Sequence, residues 1–160
     1  HPEGWIVYKP HPDVLAGLRA GAVPDATDLA NVVVTDADTA ALLPLADRVV
    51  TMTSTLGFEA LLRRVPVTTL GAPFYAGWGL TRDLGPVPVH RTARPSIAAL
   101  AHATLIAYPR YHDPVTGLPC PPEVALDRLA SGDGQRGKPG LRALAKLQGW
   151  FAGQSWLWRR

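Results

Sequence analysis

Three short stretches carry side chains able to bind an anion or a sugar. "KPHP", residues 9–12, sets Lys9 and His11 around prolines that fix the backbone. Rigid placement suits a group that must meet a charged oxygen. A histidine there can hydrogen-bond a phosphate oxygen and, if protonated, neutralise a leaving group or act as general acid. An exposed histidine in a proline-rich turn is the equal alternative. "TST", residues 53–55, precedes a segment with helical spacing of apolar residues. Unpaired N–H groups and the hydroxyls of Thr53, Ser54 and Thr55 can together hold a phosphate at such a helix start. One of the hydroxyls serving only as an N-cap, worth about 1 kcal/mol, explains the same residues.

Glu59 lies about one turn further on. A capping box needs a hydroxyl three residues earlier, where Leu56 stands, so that explanation fails. An i,i+4 pair with Arg63 and a carboxylate accepting from a ribose diol both remain open. The third stretch, "GAPFYAGWGL", residues 71–80, combines Gly71, Gly77 and Gly79 with Phe74, Tyr75 and Trp78. Glycines let backbone approach a ligand, and aromatic rings stack on sugar or base. The same rings packed beneath a loop are the other possibility. The stretch matches neither the P-loop nor the dinucleotide glycine pattern.

These groups need a scaffold that brings them together. "WIVYK" at 5–9, "NVVVT" at 31–35, "RVVTM" at 48–52 and "VPVTTLG" at 65–71 read as strands. Between them, "DVLAGLRAG" is a short helix, "TAALLPLAD" is a helix capped by Asp36 or Asp38 and open to a kink at Pro44, and "TSTLGFEALLRR" is a longer one. This alternation predicts an α/β fold, a Rossmann-like parallel sheet flanked by helices. Ligands of such sheets bind beyond the carboxyl ends of the strands, so the three stretches are expected to share one edge. Residues 80–95 read as extended and proline-rich, "PSIAALAHATLIA" and "PEVALDRLA" as helices, and "YPRYHDPVTGLPCPPE" as a loop too long to be idle. Residues 131–140 have linker composition, which divides the chain into a domain of residues 1–130, that linker, and a basic, Trp-rich tail of residues 141–160.

Composition narrows the classes. With 160 residues, 47% hydrophobic and 18% charged, the chain can bury a core. Residues 1–133 hold 10 Lys/Arg against 13 Asp/Glu, while residues 134–160 hold 6 basic residues and no acid. The basic pI therefore lives in the tail, and no nucleic-acid-binding signature is visible. No apolar run approaches the roughly 20 residues that span a bilayer, nor is there a signal-peptide pattern, which points to a cytoplasmic or peripheral location. The lone Cys120 excludes an intrachain disulfide and a multi-cysteine metal site. His90, His102 and His112 lack metal-ligand spacing, His102 reads as structural, and neither metal nor cofactor is expected. A start at His1, with a strand pattern almost at once, suggests a part of something longer.

"YKPHPDV", "TSTLGFEALL", "VPVTTLGAPFYAGWGLT" and "YPRYHDPVTGLPC" together resemble the capsule polysaccharide biosynthesis and export family of bacterial β-Kdo transferases, the KpsC/LipA-like proteins, over roughly residues 5–130. The resemblance implies the nucleotide-binding half of a GT-B glycosyltransferase that takes Kdo from CMP-Kdo, with retention, and builds an oligo-Kdo linker on a lysophosphatidylglycerol acceptor at the cytoplasmic face of the inner membrane. His11-Pro12 matches a His-Pro motif that the family shares with bacterial sialyltransferases, so His11 would contact the CMP phosphate and help it leave, with Lys9 and Pro12 beside it. Ser54 and Thr55 stand where those relatives place paired serines on the phosphate. Thr55 is a departure from that pair. Glu59 would take the ribose hydroxyls, and Tyr75, Gly77 and Trp78 would border Kdo or cytidine.

The N-terminal GT-B half, with the acceptor surface and the acidic residue acting on the anomeric carbon, would be a separate partner. The chain alone is then expected to bind donor weakly without turnover. A GT-B transferase using a UDP-sugar, or a non-catalytic module of capsule assembly, fits the same residues. In the tail, Arg142 and Lys146 share one helical face and Leu141, Leu144, Leu147 and Phe151 another, with Trp150, Trp156 and Trp158 near basic ends. That pattern suits an anionic membrane surface, but a helix packing on the other half is the favoured account of the same residues.

Overall fold

The computed structural model describes residues 4–18 and 20–133. They divide into two compact units, one running to Ala37 and resumed from Arg128, the other Asp38–Asp127.

In the first unit β1 (Val7–Tyr8) pairs in parallel with β2 (Val32–Val33), Val7 opposite Val32 and Tyr8 opposite Val33. Asn31 fixes this register from both sides. Its N–H donates to the Ile6 carbonyl at 2.9 Å, and its Oδ1 accepts from the Ile6 N–H at 2.7 Å. The connection holds α1 (Pro12–Leu15) and α2 (Ala26–Leu29). Where the sequence predicts a helix to Gly21, α1 stops after one turn because Gly17 takes φ +68°. The Gly17 and Leu18 N–H groups then bond back to the Val14 and Asp13 carbonyls, a Schellman closure.

In the second unit α3 (Thr39–Leu42) starts on Asp38, whose carboxylate accepts from the Ala40 N–H at 2.9 Å. Pro44 cannot continue the α-helical ladder, and the chain tightens into a 3-10 turn at Leu43–Leu45. β3 (Val49–Thr51) and β4 (Val67–Thr69) pair in parallel, and β5 (Arg82–Asp83) adds in parallel beyond β4, a strand that the proline-rich stretch concealed. Between β3 and β4 runs α4 (Leu56–Leu62), which buries Gly57, Phe58, Ala60 and Leu61. Its C-terminal turn closes on Arg64 at φ +62°, so the helix ends short of the expected boundary.

Serine 96 caps α5 (Ile97–His102) by accepting from the Ala99 N–H at 3.1 Å, and a π-helical turn, Ala103–Ala107, continues it. His102 on this helix is exposed, so the expected structural role has no packing behind it. The last described helix is α6 (Pro122–Ser131). Leu43, Val49, Phe58, Ala60, Leu61, Val67, Tyr75 and Leu100 form the core. All eight belong to the second unit, and β4 at its centre is buried at every residue. The expected parallel α/β architecture is present, as a two-stranded sheet in the first unit and a three-stranded sheet in the second, each with helices. The linker beyond Asp133 and the Trp-rich tail lie outside the described residues.

Candidate functional site

Because β3 and β4 are adjacent and parallel, the segments leaving their carboxyl ends emerge side by side. "TST" follows β3, and the glycine-aromatic loop follows β4. A Cβ built on Gly71 would stand 3.0 Å from both the Met52 carbonyl oxygen and Thr53 Cγ2, so glycine is what allows the two segments to touch. Ser54 is anchored three ways. Its N–H donates to Thr51 Oγ1 at 3.3 Å, its Oγ accepts from the Leu56 N–H at 3.2 Å, and its carbonyl accepts from the Tyr75 hydroxyl. Ser54 therefore does the capping work, while Thr55 at the helix boundary makes no side-chain cap bond. An accepting hydroxyl still has its own O–H to give, so Ser54 can cap α4 and donate to an anion together.

Tyr75 is fully buried, so its ring offers no face to a sugar. It stacks against Phe58 at 6.4 Å between centroids, and Phe74 meets both rings edge-on at 5.0 and 5.2 Å. Burial pushes its phenol up to about 12, which keeps it a neutral donor to Ser54. Gly57 makes room for it, since a Cβ there would lie 2.7 Å from Tyr75 Cζ. Tyr75 thus joins the loop to the start of α4. The expected ligand-bordering role gives way to this supporting one.

Two residues that sequence reasoning did not single out hold the loop's shape. Asp83 on β5 accepts from Thr69 Oγ1 at 2.8 Å and from Thr81 Oγ1 through one carboxylate oxygen, and from the Gly77 N–H at 2.9 Å through the other. Gly77 has φ +83°, a conformation that favours glycine. Arg91 donates to the Pro73 and Ala76 carbonyls at 2.6 and 2.8 Å, and its guanidinium lies 5.5 Å over the Trp78 ring. Trp78 spends its indole N–H on the Phe74 carbonyl at 2.7 Å and remains half-buried. No local pattern marks Asp83, because its donors Gly77 and Thr69 lie 6 and 14 residues away along the chain.

Glu59 is half-buried on α4, and Arg63 donates to its backbone carbonyl at 3.1 Å rather than to its carboxylate. Among the described residues the carboxylate has no hydrogen bond or ion pair, so of the two open alternatives the i,i+4 pair with Arg63 does not form. Lys9, His11 and Pro12 belong to the other unit. There His11 caps α1, its Nδ1 accepting from the Asp13 N–H at 3.1 Å. In the neutral ring that bond places the proton on Nε2, leaving Nε2–H free to donate outward. The Asp13 carboxylate stands 3.6 Å from Nδ1, a partner for the protonated ring. Lys9 is half-buried beside the buried Pro10, and its ammonium has no partner among the described residues.

A family model described as capsule polysaccharide biosynthesis protein matches residues 1–111. Over 113 residues the chain is 49% identical to the lipopolysaccharide-processing protein LpsZ of Rhizobium meliloti, covering 69% of this chain and 26% of that protein. It is 48% identical over 118 residues to the capsule polysaccharide modification protein LipA of Neisseria meningitidis, covering 72% of this chain and 17% of LipA. The chain thus spans about a quarter or less of these relatives. Among solved structures it resembles the β-Kdo 2,7 transferase of Thermosulfurimonas dismutans KpsC with a TM-score of 0.70 and 35% identity, over 82% of this chain and 42% of that one. The β-Kdo 2,4 transferase of the same KpsC gives 0.68 and 34%, over 80% and 40%. By this extent of sequence and of fold, the chain belongs to the KpsC/LipA-like family of capsule polysaccharide biosynthesis proteins.

Proposed function

We propose that the chain is the donor-binding half of a retaining β-Kdo glycosyltransferase, which takes Kdo from CMP-Kdo for an oligo-Kdo linker on a lysophosphatidylglycerol acceptor at the cytoplasmic membrane face. The observation that carries this is the likeness to a chain described as a β-Kdo 2,7 transferase, at 35% identity over 82% of this sequence. The crowding of Ser54 and the glycine loop at one edge of a parallel sheet supports it.

In this reading the leaving group is CMP, whose phosphate gains negative charge as the bond to the sugar breaks. Ser54 and Thr55 donate hydrogen bonds to that phosphate through their hydroxyls. His11 donates from Nε2 and, once protonated, balances the developing charge, with Asp13 at 3.6 Å to hold the imidazolium. The free carboxylate of Glu59 accepts from the ribose hydroxyls. Gly77 and Trp78 border the sugar or base, on a loop kept rigid by Asp83, Arg91 and Tyr75. The other GT-B half supplies the acceptor surface and the acidic group acting on the anomeric carbon.

Joining the chain to that half and assaying Kdo transfer from CMP-Kdo tests the proposal. Transfer by the joined protein is expected, with kcat lowered about 10²- to 10⁴-fold by His11→Ala, the usual range for a lost proton-transfer group. Transfer by residues 1–160 alone, or a His11→Ala protein as fast as its parent, overturns it.

A further inference from the structure

The stretch 108–121, which leaves the π-helical end of α5, folds back on itself. His112 and Pro119 form an antiparallel bridge, the Asp113 N–H donates to the Leu118 carbonyl at 2.9 Å, and the Cys120 N–H to the Tyr111 carbonyl at 3.0 Å. The carboxylate of Asp113, 6% exposed, closes the tip by accepting from the Val115 N–H and the Thr116 hydroxyl. Tyr111 ties the tongue to the helix through its hydroxyl on the Leu105 carbonyl. These bonds link the two sides of the segment and tie it to the helix end.

Between the tongue and the helix end lies a cavity of about 370 Å³. Ile106 and Pro109 give it apolar walls, and Arg110, Tyr111, His112 and Cys120 line it as well. None of its lining residues is acidic. The guanidinium of Arg110 and the imidazole of His112 have no hydrogen bond or ion pair among the described residues, and both residues are exposed. An unpaired guanidinium matches the two oxygens of a carboxylate or phosphate, and the neighbouring apolar wall suits a carbon ring beside them. Small-molecule sites run from roughly 300 to 1,000 Å³, so this one admits a single-sugar-sized compound and is too small for a nucleotide sugar. It shares no residue with Thr53–Thr55 or the 71–79 loop.

We propose that this cavity binds a small oxyanion ligand, a carboxylate or phosphate on a compound of single-sugar size, with Arg110 as its principal contact. Cys120, the only cysteine of the chain, lines the cavity and reports its occupancy. The experiment follows alkylation of Cys120 by uncharged iodoacetamide, with inorganic phosphate, glucuronate, glucose or sodium chloride at matched ionic strength. Phosphate or glucuronate at about ten times its Kd is expected to slow alkylation roughly tenfold by mass action, glucose and chloride are not, and Arg110→Ala is expected to abolish the protection. Protection by glucuronate alone identifies a carboxylate ligand, and protection by phosphate alone a phosphorylated one. No protection by either anion, or equal protection in the Arg110→Ala protein, overturns the proposal. No nucleotide enters the test, so its failure leaves the donor-half reading untouched.

Discussion

Replacing Asp83 by alanine removes one acceptor from three donors: Thr69 Oγ1, Thr81 Oγ1 and the Gly77 N–H. Thr69 is fully buried, so its hydroxyl has no water to turn to. Leaving it unpaired costs about 1–3 kcal/mol. Gly77 is half-buried and Thr81 is too, so solvent offsets part of their loss, which adds about 1 kcal/mol. The expected destabilisation is therefore about 2–4 kcal/mol, or a drop of roughly 1–2 M in urea midpoint at a slope near 2 kcal/mol/M. Asp83→Asn keeps one oxygen but turns an amide N–H toward a donor, so it should lie between alanine and the parent. The specific readout is amide exchange at Gly77, which should quicken roughly 30-fold for about 2 kcal/mol of lost protection. A Gly77 amide that exchanges at the parent rate, with the urea midpoint unmoved, would refute the idea that Asp83 holds this loop.

Gly57→Ala places a methyl group against the Tyr75 phenol and should cost about 1–3 kcal/mol by overpacking, read as a lower melting temperature and a Ser54–Tyr75 link broken in NMR. Tyr75→Phe should cost only about 1 kcal/mol, because the Ser54 carbonyl keeps its second donor, the Gly57 N–H at 3.1 Å. The parent and Tyr75→Phe should also differ in alkali. The folded phenol titrates at about 12, above the ordinary 10, so its contribution is complete below pH 10. It is lost as pH rises from about 10 to 12, since the unfolded chain ionises first. Urea melts across that range should show this loss in the parent and not in Tyr75→Phe.

The alternation of apolar runs and helical spacing was enough to place β1 to β4, α4 and α5, because each carries its own periodic signal. β5 carries none: two residues, Arg82 and Asp83, become a strand only through the open edge of β4. Asp83 was hidden with it. Tyr75 shows a different limit, since an aromatic residue in a glycine-rich loop reads the same whether it faces ligand or core. The deciding clue sat elsewhere, in Gly57, a glycine inside a helical pattern that needed a packing reason. Arg91 spans more than a dozen residues to reach the Pro73 carbonyl, a contact that no local pattern encodes. The capping of α1 by His11 Nδ1 likewise becomes legible only in the folded chain.

Calorimetric titration of the chain with CMP and with UDP, at fixed salt and beside His11→Ala and Ser54→Ala proteins of unchanged fold, tests the donor-half assignment most directly. CMP is predicted to bind more tightly than UDP, with both substitutions weakening it, by about 1 kcal/mol or more for each lost hydrogen bond to a charged phosphate. UDP binding as tightly as CMP, or CMP affinity indifferent to both substitutions, would contradict the assignment.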